Sequence, residues 1–500
     1  MRLPSLVLGC CLGAACASTL SPTPTPSSPS ASGPSAVRSR PATVAAEAAG
    51  SPDASTSVPV LEAERRAILA ELISFDTSHG HETDALRPIA RRFEHAGVHA
   101  DIFESAPGRG TLVARLKGSG AKKPLLLMAH VDVVPVEGQP WTVPPFRATE
   151  KDGFLYGRGV SDDKGMASAI VAIVLERART HAHDALARDV IVALTAGEES
   201  DKAGVRWLVE HRAELIDAEL AIDEGGAIVA ADDLSRIDAV EISATEKITQ
   251  NYRLVVKGPG GHSSLPPTDA DPTAALARAL ERVAAYRFPP RALLPVKDQL
   301  AFRATREKPA VRAALERLVA SAPKVAPGDE KIVAADRYLN ALIHTTCVTT
   351  MLQASPQANV LPTSAEAVVN CRILPDETPA QVMATLERAI GDPAVTVTSE
   401  PRVGGVAPLT ELDASVMDAV RSAAGRWSGA VVYPTMLIGS SDSRFLRAAG
   451  IRSYGLYASP TSFAEDTAGR TAHGPDERVP TKWLDDGVRF LRDVVLNLAR

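Results

Sequence analysis

The sequence predicts a layered α/β domain that is interrupted by a smaller α+β insert. Two patterns indicate this fold class. Amphipathic helical stretches alternate with short apolar strands across residues 60–242 and again across 403–500, which is typical of a layered sheet. Across 243–402 the order becomes β-α-β-β-α-β, which predicts a ferredoxin-like sandwich inserted into the larger domain. We therefore expect one larger domain, formed by two separate segments of the sequence, and one smaller domain inserted between them.

The predicted elements follow these patterns in chain order. In the first segment, helices are predicted at 61–73, 83–96, 166–179 and 203–215, and strands at 99–103, 111–116, 125–128, 189–194 and 218–222. In the insert, strands are predicted at 252–257, 343–351, 365–374 and 395–398, and helices at 272–286 and 379–390. A Pro- and charge-rich excursion separates the first helix of the insert from its second strand. In the last segment, helices are predicted at 412–426 and 482–498 around an apolar stretch at 451–456.

The N-terminal residues predict export. Residues 1–17 combine one Arg, an apolar run of about a dozen residues and a small-x-small cleavage pattern. Cys10, Cys11 and Cys16 in this stretch also fit attachment of a lipid, so simple secretion and lipid anchoring both stay open. Residues 18–59 are rich in Ser, Thr, Pro and Ala and predict a flexible tether. The predicted location is periplasmic, secreted or lipid-anchored at the cell envelope.

Composition narrows the class of protein further. A chain of 500 residues is too long for one ordinary core and predicts two domains with tails. The net charge is −6, no basic cluster stands out, and aromatic residues make up 4%, which together argue against nucleic acid as a partner. After signal removal only Cys347 and Cys371 remain, in strand-like runs. A disulfide and two buried thiols are both open interpretations.

A histidine follows the most apolar predicted strand. The run at residues 125–128 leads directly into His130-Val131-Asp132. Because side chains alternate faces along an extended chain, His130 and Asp132 point the same way. The carboxylate can then hold one ring nitrogen while the other binds a metal. The alternative interpretation is a structural histidine held by ordinary hydrogen bonds.

Acidic residues follow further predicted strands or precede a helix. Asp162 and Asp163 lie in a Gly-rich turn before the helix at 166–179, and the pairs Glu198-Glu199 and Asp223-Glu224 follow two apolar strands. In open α/β sheets, reactive groups gather at the carboxyl ends of the strands. The recurrence of acids at these ends predicts a metal site.

The ligand types predict a dinuclear site. Carboxylates mixed with imidazole suit Zn²⁺, with Co²⁺ or Mn²⁺ as alternatives. Two ions about 3.5–4 Å apart need a shared carboxylate. We expect one ion to be held by His130, Asp162 and one of Asp223 and Glu224, and the other by Asp162, Glu199 and His473.

Glu198, next to a predicted ligand, is the candidate general base. Because metal ions lower the pKa of bound water toward about 7, Glu198 can take a proton from that water and return it to a leaving amine. The predicted reaction is hydrolysis of an amide.

Seven motifs together resemble one known family. HVDVVP, GRGVSDDKG, AGEES, DEGG, GPGGHSS, ANVLP and AHGPDE occur in this order over residues 60–500. They are similar to motifs of the co-catalytic zinc peptidases that include acetylornithine deacetylase, succinyl-diaminopimelate desuccinylase, aminoacylase and glutamate carboxypeptidase. Within that family the chain most resembles carboxypeptidase S and the secreted N-fatty-acyl amino acid hydrolases.

The resemblance implies a fold and a role for individual residues. It implies a phosphorylase/hydrolase-like catalytic domain with a ferredoxin-like lid that also serves dimerisation. It implies that Asp162 bridges the metals, Asp132 orients a ligand, Glu198 is the base and Glu199 a ligand. It further implies that His262, often supplied by a partner subunit, stabilises the oxyanion. The implied substrate contacts are Asn359, Arg372, Gly439 and Ser440.

The sequence is compatible with three functions. The leading hypothesis is an exopeptidase of carboxypeptidase type acting on small peptides. The alternative is an aminoacylase that cleaves or forms N-acyl amino acids, since both reactions require a free carboxylate beside the amide. A binding module that has lost catalysis would lack a ligand or the base, whereas all these positions are filled.

Overall fold

The computed structural model describes residues 54–268, 271–401, 412–462 and 472–500. The predicted signal at 1–17 and residues 18–53 of the predicted tether lie outside these ranges. The remaining tether residues belong to a helix that begins at Ala54. Among the described residues, no helix is both long enough and apolar enough to cross a membrane.

The elements are numbered in chain order. The helices are α1 Ala54–Ile73, α2 Glu82–His95, α3 Lys164–Arg179, α4 Ala203–His211, α5 Pro272–Ala285, α6 Leu294–Ala304, α7 Pro309–Ser321, α8 Pro327–Val333, α9 Arg337–Ile343, α10 Pro379–Ile390, α11 Ala414–Ala424, α12 Ser443–Ala448 and α13 Thr481–Ala499. The strands are β1 Ala100–Glu104, β2 Gly110–Leu116, β3 Leu125–His130, β4 Thr149–Lys151, β5 Phe154–Tyr156, β6 Val190–Thr195, β7 Leu220–Asp223, β8 Ala227–Ala230, β9 Ile237–Glu246, β10 Ile248–Lys257, β11 Gly261–His262, β12 Thr346–Gln353, β13 Val360–Leu361, β14 Ser364–Ile373, β15 Val395–Ser399, β16 Val431–Leu437, β17 Arg452–Gly455, β18 Thr461–Ser462 and β19 Arg478–Pro480.

A large mixed sheet forms the centre of the α/β part. Its order within the described residues is β1-β2-β6-β3-β7-β17-β9-β8-β18, with β16 beside β9. β3 runs parallel to both β6 and β7. The carboxyl ends of these three strands therefore lie side by side at one edge of the sheet.

Helices cover both faces of this sheet. Leu127 and Val192 point to a core shared with α1, α2, α3, α11 and α13. Leu126, Met128 and Ile191 point to the opposite core, which includes residues of α4 and α12. Because both faces are covered, β3 and β6 are buried along their whole length and read as continuous apolar runs. The predicted layered α/β class is confirmed.

A second, smaller sheet forms the insert. Its order is β12-β14-β10-β15, and all its pairs are antiparallel. Tyr252 and Leu254 of β10 pack with Leu276 of α5 and Leu386 of α10 in a core separate from that of the large sheet. With the chain order β-α-β-β-α-β, this is the predicted ferredoxin-like arrangement.

The stretch between α5 and β12 is helical, although no element was predicted there. The four helices α6 to α9 have their own core, which includes Leu300, Leu315 and Leu342 and reaches Met436 of β16. Pro309 and Pro327 are the first residues of α7 and α8. Proline is tolerated at the first helical position because its missing N–H would be unpaired there in any case. Two of the prolines in this stretch are therefore helix starts rather than loop residues.

The passage between the two sheets is short. The predicted boundary between residues 242 and 243 falls inside β9, which continues in the large sheet to Glu246. Lys247 separates β9 from β10, which already belongs to the insert. The structure thus changes from one sheet to the other within a single residue.

Candidate metal centre

The predicted ligands gather at the adjoining carboxyl ends of β3, β6 and β7. His130 is the last residue of β3, and Asp223 is the last of β7. Glu198 and Glu199 lie in the turn after β6, and Asp162 precedes α3. The parallel pairing of three buried strands is what brings residues so distant in sequence together.

Asp162 lies between two histidines. Its Oδ1 is 2.9 Å from Nε2 of His130, and its Oδ2 is 3.3 Å from Nε2 of His473. Nε2 of His473 is also 2.9 Å from Oε1 of Glu199. The two oxygens of one carboxylate therefore face two separate groups of donors.

Glu224, rather than Asp223, faces His130. Oε2 of Glu224 lies 3.7 Å from Nε2 of His130, and Tyr457 donates its hydroxyl to the same oxygen at 3.3 Å. Oδ2 of Asp223 instead accepts a 2.7 Å hydrogen bond from the Ser443 hydroxyl. Of the pair that the sequence left open, the geometry favours Glu224.

The donor set fits divalent cations. Donor atoms of His130, Asp162 and Glu199 lie within 4.8 Å of one another, and so do those of His130, Asp163 and Glu224. Asp163 is fully buried, and neither of its carboxylate oxygens has a hydrogen-bond partner among the described residues. Burial raises the pKa of Asp163 well above its usual range, so a nearby positive charge would stabilise its ionised form. Imidazole and carboxylate donors are the ligands that zinc takes in catalytic sites.

The ionisable groups are strongly coupled. Hydrogen bonds to Asp162 and Glu199 raise the pKa of His473 to about 10. Burial disfavours the charged form of His130, but its contacts with Asp162 and Glu224 outweigh burial and raise its pKa well above the usual value. The same two histidines lower the pKa of Asp162 despite burial. Within the cluster, the carboxylates and the imidazoles thus stabilise each other's charged forms.

Asp132 approaches the ring of His130 with both its backbone oxygen and its carboxylate. Nδ1 of His130 lies 3.0 Å from the backbone oxygen of Asp132 but 3.6 Å from its carboxylate. The two side chains do lie on the same side of the strand end. Because the carboxylate takes hydrogen bonds from another loop, the backbone oxygen is the nearer partner of the imidazole.

The turn that carries Glu198 and Glu199 has two cationic neighbours that the sequence did not predict. Nζ of Lys202 contacts Oε1 of Glu198. Arg109 approaches Ser200 with Nη2 at 3.1 Å from its hydroxyl. Gly197 has a φ of +76°, a left-handed backbone conformation that residues with a Cβ rarely adopt, so glycine is favoured at this position.

Glu477 holds the turn that carries Asp162. This fully buried carboxylate accepts backbone hydrogen bonds from Gly159, Ser161 and Asp162 at 3.0, 2.8 and 3.2 Å. Arg158 donates to it at 2.9 Å. Glu477 is part of the AHGPDE motif, but no sequence signal assigned it a partner, because its contacts lie more than 300 residues away.

A cavity of about 540 Å³ opens beside this cluster. It is lined by Glu198, Glu199, His473, Arg372, Gly439 and Ser440 among the predicted site residues, and by Val134, Ser200, Asp201, Lys202, Thr249, Gln250, Asn251 and Arg444 among the others. Arg372 and Thr249 come from the insert, whereas Glu199 and Arg444 come from the larger sheet. The cavity is therefore shared by the two parts of the fold.

Two of the predicted site residues belong neither to the metal cluster nor to the lining of the cavity. His262 and Asn359 are exposed and do not line it. His262 belongs to the small sheet β11-β13, and Nδ1 of its ring accepts a hydrogen bond from the Ser264 backbone N–H at 3.1 Å. The structure does not bring these two residues to the metal cluster of their own chain.

Comparison with known families identifies the family to which the chain belongs. The sequence profile of peptidase family M20/M25/M40 matches residues 126–497. The chain belongs to that family. The predicted resemblance and the assignment as a metallopeptidase or amidohydrolase are thereby confirmed.

The relatives that match most of the chain include proteins named as N-fatty-acyl-amino acid hydrolases and a protein named as a carboxypeptidase. N-fatty-acyl-amino acid synthase/hydrolase PM20D1 of Homo sapiens is 29% identical over 402 residues, covering 75% of this chain and 74% of its own. The probable carboxypeptidase S-like 2 of Dictyostelium discoideum is 25% identical over 467 residues, covering 90% of this chain and 87% of its own.

Solved structures share the fold. The M20 family metallo-carboxypeptidase Sso-CP2 of Sulfolobus solfataricus aligns with a TM-score of 0.63 at 20% identity, over 87% of this chain and 99% of its own. Human carnosine dipeptidase 1 aligns with a TM-score of 0.61 at 13% identity, over 89% of this chain and 98% of its own.

Proposed function

We propose that the chain is an exported dinuclear zinc exopeptidase of carboxypeptidase type, which releases the C-terminal amino acid from small peptides. The observation that carries this proposal is the position of Asp162. Its two oxygens face His130 and His473 separately, at 2.9 and 3.3 Å. A carboxylate shared between two ions requires this arrangement.

The proposed ligands divide into two sets around Asp162. His130 and Glu224 complete one set, and Glu199 and His473 complete the other. When bound, two zinc ions would polarise the amide carbonyl and make a water molecule acidic enough to attack it. Co²⁺ and Mn²⁺ suit the same donors and are the alternatives to zinc.

Glu198 is the proposed general base. It lies beside Glu199, lines the cavity and is 5% exposed, so its carboxylate is held close to the ligands. In this role Glu198 takes a proton from the attacking water and returns it to the leaving amine. Its contact with Lys202 fixes the direction of the carboxylate.

The insert supplies the proposed contact for the substrate carboxylate. Arg372 lines the cavity from β14, and its Nη1 donates a 2.8 Å hydrogen bond to the Thr249 hydroxyl. A guanidinium held in this way can bind a carboxylate with its remaining donors. Gly439 and Ser440 also line the cavity and are proposed to contact the substrate through the backbone.

His262 and Asn359 are proposed to act in the cavity of a second copy of the chain. Both residues are exposed in the insert, as such an exchange requires. The edge strand β12 of the insert also exposes Val348, Met351 and Leu352, with 59, 65 and 67% of each side chain accessible. An apolar edge strand favours pairing with another chain, which supports a homodimer through the insert.

The polarity of the cavity favours a small peptide as substrate. Among the described residues that line it, Val134 is the only one with an aliphatic side chain. A long acyl chain would gain little from so polar a lining, because burial against apolar surface is what would hold it. The alternative of an N-acyl amino acid hydrolase is favoured instead by the name of the PM20D1 relatives.

Export is proposed from the N-terminal sequence together with the cysteines. Cys347 and Cys371 form a disulfide across β12 and β14. Disulfides persist in oxidising compartments, which supports a location outside the cytoplasm. Lipid anchoring and simple secretion both remain compatible with this proposal.

A substrate panel tests the proposed function. Zinc-loaded enzyme is assayed with Gly-Leu, N-acetyl-Leu, N-oleoyl-Leu and Gly-Leu amide, with and without a chelator. We expect Gly-Leu to be cleaved with the highest kcat/KM, the amide to be cleaved poorly and the chelator to stop the reaction. Faster cleavage of N-oleoyl-Leu would establish the deacylase alternative, and no turnover of any compound would contradict both.

A further inference from the structure

Two arginine side chains face the cavity without an acidic partner. Among the described residues, no carboxylate lies within ion-pair distance of Arg372 or Arg444, although both line the cavity. Nε of Arg444 is buried and has no hydrogen-bond partner there. A buried donor without an acceptor costs free energy, so a ligand that supplies an acceptor would bind favourably.

The neighbouring cations contrast with this pair. Lys202 contacts Glu198, and Arg447, one turn after Arg444 on α12, donates to the backbone oxygen of Ser453 at 3.1 Å. Nη1 of Arg447 also lies 3.6 Å from Oε2 of Glu246. Arg447 is therefore satisfied by the protein itself, whereas the guanidinium of Arg444 lies over the ring of Phe445, 4.9 Å from its centre, and has no acidic partner among the described residues.

The two unpaired guanidiniums belong to different parts of the fold. Arg372 lies on β14 of the insert, and Arg444 lies on α12, which packs on the larger sheet. Burial and then the charge of Arg444 lower the pKa of Arg372, which places the two charges near each other. Two like charges across a cleft repel until an anion comes between them.

We propose that Arg444 binds the free carboxylate of the substrate together with Arg372, so that this one carboxylate joins α12 to the insert. The inference rests on the proposed function, because it assigns a residue to the carboxylate end of the same substrate. Arg444 is then a specificity-determining residue that rejects amides and internal peptide bonds. The competing interpretation is that Arg444 binds an acidic side chain of the substrate, while Arg372 alone binds the free carboxylate.

The test measures the preference for carboxylate over carboxamide. Arg444→Gln and Arg444→Lys are compared with the parent enzyme on Gly-Leu, Gly-Leu amide and Gly-Glu, with zinc content and thermal unfolding recorded for each variant. Arg421→Gln is the control, because Arg421 is exposed on α11 and pairs with Asp418.

We expect Arg444→Gln to lower kcat/KM for Gly-Leu by about 10- to 100-fold, mainly through KM, and to leave the amide almost unchanged. Arg444→Lys should recover part of this loss, since it restores the charge without the planar fork. The control should match the parent. Equal losses on acid and amide, a change below twofold on Gly-Leu, or a loss confined to Gly-Glu would each overturn the proposal.

A binding measurement separates this inference from the proposed function. Zinc-loaded Glu198→Gln protein is titrated with Gly-Leu and with its amide by calorimetry, with and without Arg444→Gln. We expect Gly-Leu to bind more tightly than its amide, and we expect Arg444→Gln to reduce this preference by about 10- to 100-fold, because only Arg372 then contacts the carboxylate. If the parent enzyme shows no hydrolysis while the titrations still show this preference, the proposed reaction fails and the carboxylate site stands. An equal preference for Gly-Leu over its amide with and without Arg444→Gln would refute the site.

Discussion

The backbone N–H of Glu199 donates a 3.0 Å hydrogen bond to Oδ2 of Asp132. Oδ1 of the same carboxylate accepts a second 3.0 Å bond from the backbone N–H of Glu198. Asp132, at the end of β3, thus fixes the turn after β6 that carries both glutamates. β3 and β6 are therefore joined by their backbone pairing and also by the hydrogen bonds between Asp132, which follows β3, and the turn that follows β6.

Arg109 holds the same turn from the other side and should matter for turnover. Its Nη2 lies 3.3 Å from Oδ1 of Asp201, and its Nε lies 3.3 Å from Oε1 of the buried Glu82. We expect Arg109→Met to lower kcat by about 10- to 100-fold, because residues that orient metal ligands typically contribute this much. Steady-state kinetics with zinc content checks this expectation.

The matched control for Arg109 is Arg115→Met, on the strand β2 that begins directly after Arg109. Arg115 pairs with Asp189 at 3.3 Å, toward the other end of the sheet. Burial raises the pKa of Glu82 to about 7, so Glu82→Gln is combined with Arg109→Met to avoid leaving an unpaired charge. Equal losses of kcat in the Arg109 and Arg115 variants would show that the effect does not come from the turn that carries Glu198 and Glu199.

Glu198 should be needed for hydrolysis but not for metal binding. We expect Glu198→Gln to reduce kcat by about 10²- to 10⁴-fold, the usual contribution of a general base, with unchanged zinc content. Glu199→Gln should instead reduce the zinc content. An undiminished rate in Glu198→Gln would remove this residue from the mechanism.

Lys247 should make stability depend on pH. Burial lowers its pKa from 10.5 to about 7, while Nζ donates to the backbone oxygens of Ala341 and His344 at 2.9 and 2.7 Å. Between these two pH values the unfolded chain binds a proton that the folded chain has lost, so the free energy of unfolding rises with pH. The slope is at most about 1.4 kcal/mol per pH unit, and below pH 7 the contribution is constant.

Urea unfolding at pH 7, 8, 9 and 10 measures this slope. The difference in free energy of unfolding between the parent and Lys247→Met should rise in favour of the parent across this range. Lys257→Met, at the exposed end of the strand β10 that follows Lys247, should show no such trend. A difference that stays constant with pH would mean that Lys247 does not titrate there.

The disulfide should stabilise the insert. Cys347 and Cys371 face each other in the register of β12 and β14 and are 24 residues apart in sequence. Closing a loop of this size stabilises a fold by about 3 kcal/mol in the chain-entropy description. For a chain that begins at residue 18, we expect no free thiol under denaturing conditions until a reductant is added, and a lower melting temperature afterwards. Two thiols without reductant would contradict the pairing.

The sequence predicted most of the fold because its signals are local. The ends of strands β3, β6 and β7 follow from apolar runs, and the order of the insert follows from the periodicity of its segments. The helices α7 and α8 were missed because Pro309 and Pro327 have the same appearance at a helix start as in a loop. Distinguishing the two requires the apolar contacts that follow the proline.

The proposed metal ligands could be predicted from their residue types. The residues that hold these ligands in place could not. His130 and Glu199 could be proposed because acids and imidazoles follow buried strands. Arg109, Glu477 and Arg444 have no such local signal, since each acts through contacts with distant parts of the chain. Similarly, only the folded strand end distinguishes Asp223 from Glu224, because neighbouring residues there turn toward different partners.

The number of metal ions bound per chain tests the central claim most directly. Zinc-saturated protein is analysed by mass spectrometry of its metal content, together with Asp162→Asn and an exposed control, Asp418→Asn. We predict two ions in the parent and the control and fewer than one in Asp162→Asn, because both ions share that carboxylate. A single ion in the parent, or two in Asp162→Asn, would contradict the account.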